Sequence, residues 1–445
     1  MPSVLSHPVF ARLFAAQVVA LFGTGLLTVA LGLLAFDLAG ASAGAVLGTA
    51  LAIKMVAYVG LAPVVQALSA SLPRKGVLIG ADLVRGGVAL MLPFVTGVGQ
   101  IYVLIFVLQA ASATFTPAFQ ATIPDVLDDE ADYTRALSLS RMAYDLESLL
   151  SPALAALLLT VISYHSLFVG TVLGFFGSAV LVASAHLPPR APDSIPRPFV
   201  ERVTRGTRIY LATPRLRGLL ALNLTAAASS AFVIVNTVVL VRAGYGASEA
   251  ALAMAMAAFG AGSMTAALAL PGVLERTGDR PVMVAAAVCL TAVTMGGGLW
   301  LWRTGLPPWP VFLATWAVWG LLFAAIVTPS GRLLKRSARA EDRPGVFAAQ
   351  FALSHACWLV TYPLAGWVGA AAGLGPALVL LGVLAGVGAV AALRLWPAED
   401  DVALAHSHPD LPPDHPHLRA YPGQGRRHRH TFVIDDEHQA WPTHG

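Results

Sequence analysis

Long apolar runs separated by short polar breaks decide what this chain can fold into. They fall near residues 10–36, 43–69, 76–96, 100–122, 134–160, 164–187, 215–241, 247–272, 280–302, 308–334, 345–370 and 374–396. Each is rich in Ala, Leu, Val and Gly and is long enough, at about 1.5 Å per helical residue, to cross about 30 Å of hydrocarbon. In lipid every backbone polar group has to be satisfied within the segment, so runs of this length are expected as helices. Only 12% of the residues are charged and the mean hydropathy is +0.71, which excludes a water-soluble globule. The reading is an all-α membrane protein with twelve transmembrane helices. The first run lacks a charged leader and is too long for a signal peptide, so it is expected to remain as a span.

Charge placement supplies the orientation. Arg74 and Lys75, seven arginines between Arg190 and Arg217, Arg276 and Arg280, and Arg332, Lys335, Arg336, Arg339 and Arg343 all fall in even-numbered loops, whereas the odd-numbered loops carry Arg242 and Arg303. By the positive-inside rule both termini face the cytoplasm, and the expected location is the inner (plasma) membrane, multi-pass. The basicity therefore reports topology, and no nucleic-acid partner is expected; the partners are the bilayer, protons and a small-molecule or metal-ion substrate. Cys289 and Cys357 both lie inside apolar runs, so no disulfide framework or structural zinc site is available. No GxxxxGK[ST] phosphate loop and no nucleophile with a base is present, so the chain is read as neither an ATP-driven pump nor an enzyme, and no cofactor is expected.

The sequence repeats itself. Thr116 and Pro117 recur as Thr328 and Pro329, and Pro152 recurs as Pro363, at offsets of about 210 residues. Between the halves lies a proline-rich segment whose basic stretch, ERVTRGTRIY, has the pattern of an amphipathic helix on a membrane surface. The expected organisation is an N-terminal six-helix bundle over 1–187, a cytoplasmic linker over 188–214, a C-terminal six-helix bundle over 215–396, and a His-rich cytoplasmic tail over 397–445 without order. Two such bundles related by an axis along the membrane normal are the architecture of rocking secondary transporters.

Ionisable side chains inside the apolar runs are default site candidates, because each costs about 2.5–3.5 kcal/mol to insert. Lys54 lies near the middle of the second run, Asp145 and Glu147 near the middle of the fifth, and His355 in the eleventh. Lys54 could pair with one acid and leave the other to bind a proton or cation; the alternative is a permanent structural pair. Asp145 and Glu147, two apart, cannot share one helix face. Asp82 and Arg85 read as a local pair at the inner interface. Asp37 and Arg242, at matching outer ends of the first and seventh runs, are candidates for an outer latch.

In the tail, His406 with His408, His415 with His417, and His428 with His430 repeat a His-x-His spacing that suits Ni(II), Co(II), Cu(II) or Zn(II). A solvated tail that binds metal incidentally is the other reading, and the spacing alone fixes no ligand set.

On these residues the chain resembles the major facilitator superfamily over residues 8 to 396. The loop PGVLERTGDR looks like that family's loop signature, with Glu275, Arg276 and Arg280 in its charged places. The first-half loop, QALSASLPRKG, keeps only Arg74 and Lys75, with Ala70 and Ser71 in the acid and arginine places. The resemblance implies that these residues close the cytoplasmic gate. The fifth run, from Glu147 through SPALAA, resembles the exporter signature, and Phe106 stands where proton-coupled drug exporters carry arginine. The opening HPVFARLFAAQVVALFGTG, the run ALSLSRMAYDLESLLSP and the His-rich tail are similar to nickel-resistance exporters of the superfamily. That resemblance implies proton-coupled efflux of a divalent metal; export of an organic compound and a non-transporting metal sensor are the other readings.

Overall fold

A computed structural model of the chain describes residues 2–39, 43–68, 72–127, 129–159, 161–188, 198–398, 403–408, 411–412, 415–421 and 427–442. The side chains of Asp145 and Arg242, and Ala70 and Ser71, lie outside the described residues. Twelve long helices follow the expected order: α1 Pro8–Ala39, α2 Ala43–Leu68, α3 Arg74–Met91, α4 Val98–Val126, α5 Glu130–Leu158, α6 Tyr164–Ser184, then α7 Pro214–Val239, α8 Glu249–Thr277, α9 Asp279–Thr304, α10 Trp309–Val327, α11 Arg343–Pro363 and α12 Leu374–Leu395. Among the described residues, nine helical segments meet a length-and-hydropathy criterion for crossing a membrane; α2, α5 and α11 are not among them. Those three carry Lys54, Glu147 and His355 respectively, each of which lines the central cavity.

The two halves repeat one packing scheme, held by small residues where backbones approach. In the first half, a Cβ on Gly174 of α6 would lie 2.8 Å from the Gly23 Cα of α1. At the equivalent crossing in the second half, a Cβ on Gly388 of α12 would lie 2.6 Å from the Ala221 carbonyl of α7. With hydrocarbon on the outside there is no hydrophobic drive between helices, and close approach of small residues supplies the attraction instead. Gly278 ends α8 at φ +78°, a conformation open to glycine and costly for a Cβ-bearing residue, and lets α9 start at once with Asp279. Across the halves α2 packs on α11 and α5 on α8.

Two segments differ from the sequence expectation. The linker forms a helix, Phe199–Ala212, with one face on protein, where Ile209 and Tyr210 are fully buried and Gly206 packs on Gly345 of α11, a contact the sequence did not announce, while Phe199, Val200 and Leu211 stay exposed. The tail, expected without order, folds: β1 Ala403–Ser407 pairs antiparallel with β2 Arg427–Thr431, with His406 opposite His428. Leu404, Phe432 and Ile434 join the apolar core of the second half, which provides the burial that composition alone did not promise.

Candidate functional site: a central cavity, a charged gate and a histidine cluster

A cavity of about 800 Å³ lies between the halves. Lys54 and Glu147 both line it, as do Gln17, Gln109, Arg141 and Asn223, while Tyr58, Phe323, Phe351 and Trp358 add aromatic walls. Glu147 is tucked against α1: a Cβ on Gly25 would lie 2.9 Å from its Oε1, so the absence of a side chain at Gly25 makes room for the carboxylate. No ion pair joins Lys54 to Glu147 among the described residues. The Lys54 ammonium instead sits 5.5 Å from the centre of the Tyr58 ring, and Tyr58 packs tilted against Phe351 and edge-to-face against His355 of α11, with ring centres 4.7 and 4.8 Å apart. His355 is bonded through Nδ1 to the Phe351 carbonyl at 2.7 Å, one turn earlier in its own helix.

Arg141, which the sequence did not single out, and Arg85, expected only as a local pair, also line the cavity. Arg141 of α5 donates to Ser263 of α8 at 3.1 Å and lies over Phe323 of α10, bridging the halves. Arg85 pairs with Asp82, and the pair is buried, not interfacial as expected from sequence. The guanidinium lies 4.2 Å from the Phe115 ring and 4.6 Å from the Phe175 ring, and these faces supply the stabilisation that water gives at an interface. Helical spacing alone could have suggested Arg141, four residues before Asp145. The covering rings around Arg85 are long-range contacts.

At the arginine-rich end the halves are bridged by charge. Asp125, at the end of α4, pairs with Arg74 of its own half and with Arg343 of the other, the latter at 2.9 Å. Arg332 reaches Glu130 of the first half at 3.0 Å and Asp279 of its own half at 2.8 Å. Lys335 donates to the Leu127 carbonyl at 3.2 Å. Of the gate residues expected from sequence, Arg74 is in this network. Lys75 is half-buried, Glu275 and Arg276 are exposed, and Arg280 donates to the Trp396 carbonyl at 3.0 Å, tying α9 to the end of α12. At the opposite end Asp37 accepts from the Tyr164 hydroxyl within the first half. Its expected partner, Arg242, is among the side chains outside the description.

The third constellation is in the tail. Because strand side chains alternate with a period of two, each His-x-His pair on a strand puts both rings on one face. His406 and His408, His428 and His430 thus converge, joined by His417 and by His438, a residue the sequence reading passed over. Nε2 atoms approach one another at 3.0–3.3 Å: His438 with His406, His406 with His428, His428 with His417, and His417 with His430. His415 is not in this cluster; its Nδ1 accepts from the His417 N–H and caps the short helix Pro416–Ala420. Burial, reinforced by neighbouring imidazoles, pushes His406 and His417 down to about 4 and lowers His408, His428 and His430 in the same direction. These imidazoles are therefore neutral at neutral pH, the form that binds metals. Burial raises the Asp435 carboxyl, but the hydrogen bond and charge of His438 and the charge of Arg339 outweigh it and hold it low.

Twelve helices in two like halves, a polar cavity between them and a charged closure at one end define a membrane transporter of the alternating-access class. A model of the Major Facilitator Superfamily matches residues 13–237 and 218–427, and the chain belongs to that superfamily. It is 27% identical over 184 residues to macrolide efflux protein A of Streptococcus pyogenes, covering 40% of this chain and 45% of that protein. The match therefore spans about half the length of these efflux relatives. It is 25% identical over 297 residues to the uncharacterized MFS-type transporter YfiS of Bacillus subtilis (strain 168), covering 65% of this chain and 70% of that one. Among solved structures, a bacterial homologue of the iron transporter ferroportin in an outward-facing state superposes with a TM-score of 0.71 at 11% identity, covering 87% of this chain and 99% of that one. The human organic anion transporter MFSD10 superposes at 0.67 and 12% identity, covering 86% and 99%. At these identities the likeness is one of fold.

Proposed function

We propose that the chain is a secondary active exporter of the inner membrane, with the arginine-rich face and both termini cytoplasmic, moving a divalent cation of the nickel or cobalt class outward in exchange for protons. The observation that carries the metal reading is the convergence of buried, neutral imidazoles against the face where cargo would enter. Glu147 is the proton carrier in this reading, since it faces the cavity with no described ion-pair partner, and Lys54 and His355 are the neighbouring groups whose contacts respond. Asp145 is the second candidate carrier from sequence. Arg74 with Asp125 and Arg343, and Arg332 with Glu130, form the cytoplasmic gate; Lys75, Glu275, Arg276 and Arg280 flank it. Asp37 and Arg242 remain the proposed outer latch.

A second reading has its own support. The cavity volume, its aromatic walls and the macrolide efflux relatives favour an amphipathic organic cargo. Purified protein in liposomes with an imposed pH gradient separates the readings. Uptake of Ni²⁺ or Co²⁺ with stoichiometric proton release, lost in Glu147→Gln, is the expected result. Transport of a macrolide but of neither metal moves the assignment to the organic reading, and transport without proton movement rejects the coupling. Absence of any flux would favour the metal-sensor reading.

A further inference from the structure

The histidine cluster is joined to the gate by a short polar turn. Asp435 Oδ1 accepts from the backbone N–H groups of Glu437 and His438 and from His438 Nδ1, all at 2.8–2.9 Å. On its other side Asp435 pairs with Arg339 at 2.6 Å, and Asp436 pairs with Arg205 of the linker helix at 2.6 Å. Arg205 in turn grips Asp342 with two bonds, at 2.6 and 3.1 Å, immediately before the gate residue Arg343. Trp441, beyond the turn, lies 5.2 Å from the Arg215 guanidinium.

The hydrogen-bond partners of two rings bear on what belongs between them. His406 Nδ1 faces the Leu404 carbonyl at 3.1 Å and His438 Nδ1 faces the Asp435 carboxylate at 2.8 Å. Both oxygens are acceptors, so each Nδ1 carries the hydrogen, and a neutral imidazole has only one. The two Nε2 atoms, 3.0 Å apart, therefore present lone pairs to each other. With both rings neutral that arrangement is repulsive; a proton taken up by one ring or a metal cation between the two relieves it, and of these only the metal also uses the unpartnered Nε2 of His408. Two nitrogens at about 2.0–2.1 Å from a metal, subtending 90–109°, lie about 2.8–3.4 Å apart, which is the spacing observed. An Nδ1–H held by a carbonyl or carboxylate is also the usual outer support of a ligating histidine. His408 adds a further observation: its Nε2 is buried with no hydrogen-bond partner, and its ligand atom lies within 4.8 Å of those of His406, His417 and His438.

We propose that the tail is a metal-operated clamp: one divalent transition-metal cation held by His406, His408, His417 and His438 fixes the Asp435–His438 turn, which then fastens Arg339 and the linker-helix Arg205 beside the gate. The clamp stands whether the central cavity carries metal or an organic compound. His438 is the joint, because its Nε2 belongs to the metal group and its Nδ1 to the carboxylate that holds Arg339. Linkage makes the coupling reciprocal: what the metal does for docking, docking must do for metal affinity.

The test uses the full chain in lipid nanodiscs, with Ni²⁺ and Zn²⁺ alone as probes and two readouts, equilibrium metal binding and hydrogen exchange of residues 199–212. In the wild type, metal binds and slows exchange in the linker helix. Arg339→Gln, which touches no ligand, lowers metal affinity about fivefold or more, and Arg339→Lys restores part of it. His438→Ala retains residual binding through the remaining imidazoles but loses the protection of 199–212. Failure to bind either metal, binding that leaves linker exchange unchanged, or an Arg339→Gln affinity equal to wild type would each overturn the clamp.

Discussion

Asp125→Asn is the sharpest perturbation of the gate, because this one carboxylate serves a cation in each half. Only the Arg343 arm crosses between the halves; the Arg74 arm stays within the first and persists when the gate opens. The crossing bond is 2.9 Å long, with Asp125 13% and Arg343 20% exposed, so it is neither a solvated surface pair nor a fully dry one. A charge-assisted hydrogen bond in such a place contributes about 1.5–3 kcal/mol, equivalent to a ratio of about 10- to 150-fold between closed and open states. The neutral amide also leaves Arg74 and Arg343 facing each other without a counter-charge, which places Asp125→Asn toward the upper end. Arg343→Gln leaves Asp125 paired with Arg74 and belongs at the lower end. Arg332 with Glu130 adds little to closure, since Glu130 is 63% exposed and such pairs contribute about 0–1 kcal/mol, which leaves Lys335 on the Leu127 carbonyl and Arg332 on Thr134 as the other described bonds across the halves.

Spin labels at the exposed positions Leu72 and Thr277, one on each half at this face, read the gate directly in a variant lacking Cys289 and Cys357. Double electron–electron resonance should show a longer-distance population growing in the order wild type, Arg343→Gln, Asp125→Asn. Identical distance distributions for wild type and Asp125→Asn would refute the assignment of Asp125 to closure.

Gly331→Leu should also favour the open gate, because even a Cβ there would lie 2.7 Å from the Tyr133 hydroxyl and 2.9 Å from Leu137 of α5, and overpacking of this kind costs about 1–3 kcal/mol; the same label pair reports it. Arg85→Met should lower the thermal midpoint of the solubilised protein more than the Asp82→Asn/Arg85→Met double variant does, since the single change strands a fully buried carboxylate at a cost of about 3–5 kcal/mol. Equal midpoints for the two would show that the pair does not carry packing in the first half.

Much of this architecture was legible in the chain because lipid imposes a simple rule: length and apolarity call for a helix, and loop charge calls for a side. The duplicated Thr-Pro and Pro positions exposed the two halves for the same reason, as local features surviving in sequence. Contacts made at long range were not legible. Asp125 follows a proline at a helix end and looks like an ordinary terminus; only the fold brings Arg343, 218 residues away, to its side. Arg280 stands where the family resemblance implies a gate residue, yet the carbonyl it meets at the end of α12 anchors it inside one half. In the tail the His-x-His period was visible, but His438 has no such partner and is recruited by the turn that Asp435 builds. His415 shows the converse, since it has the spacing and spends its ring on capping.

If Glu147 carries the proposed proton, the contacts around the cavity offer a route from it to the motion of the halves. Glu147 and Gly25 are both in the first half, so protonating the carboxylate alone breaks no contact across the interface. Lys54, also in the first half, is the charged group that acts on Glu147; it also faces the Tyr58 ring and acts by its charge on His355 of α11. Tyr58 is where ring contacts cross between the halves, because it packs tilted against Phe351 and edge-to-face against His355 of α11. Neutralising Glu147 leaves the ammonium to the ring face, an attraction of about 0.5–2 kcal/mol that grows when desolvated, and the ring packing against α11 feels the change. Tyr58→Phe keeps that face and should keep coupling, whereas Tyr58→Ala removes it. In liposomes the expected result is an unchanged proton-to-cargo ratio for Tyr58→Phe and a fall of severalfold for Tyr58→Ala, with cargo binding retained. A Tyr58→Ala variant that transports with the wild-type ratio would show that protonation reaches the second half by another path, for which the contacts of Arg141 with Ser263 and Phe323 and the charge of Lys54 on His355 are described candidates.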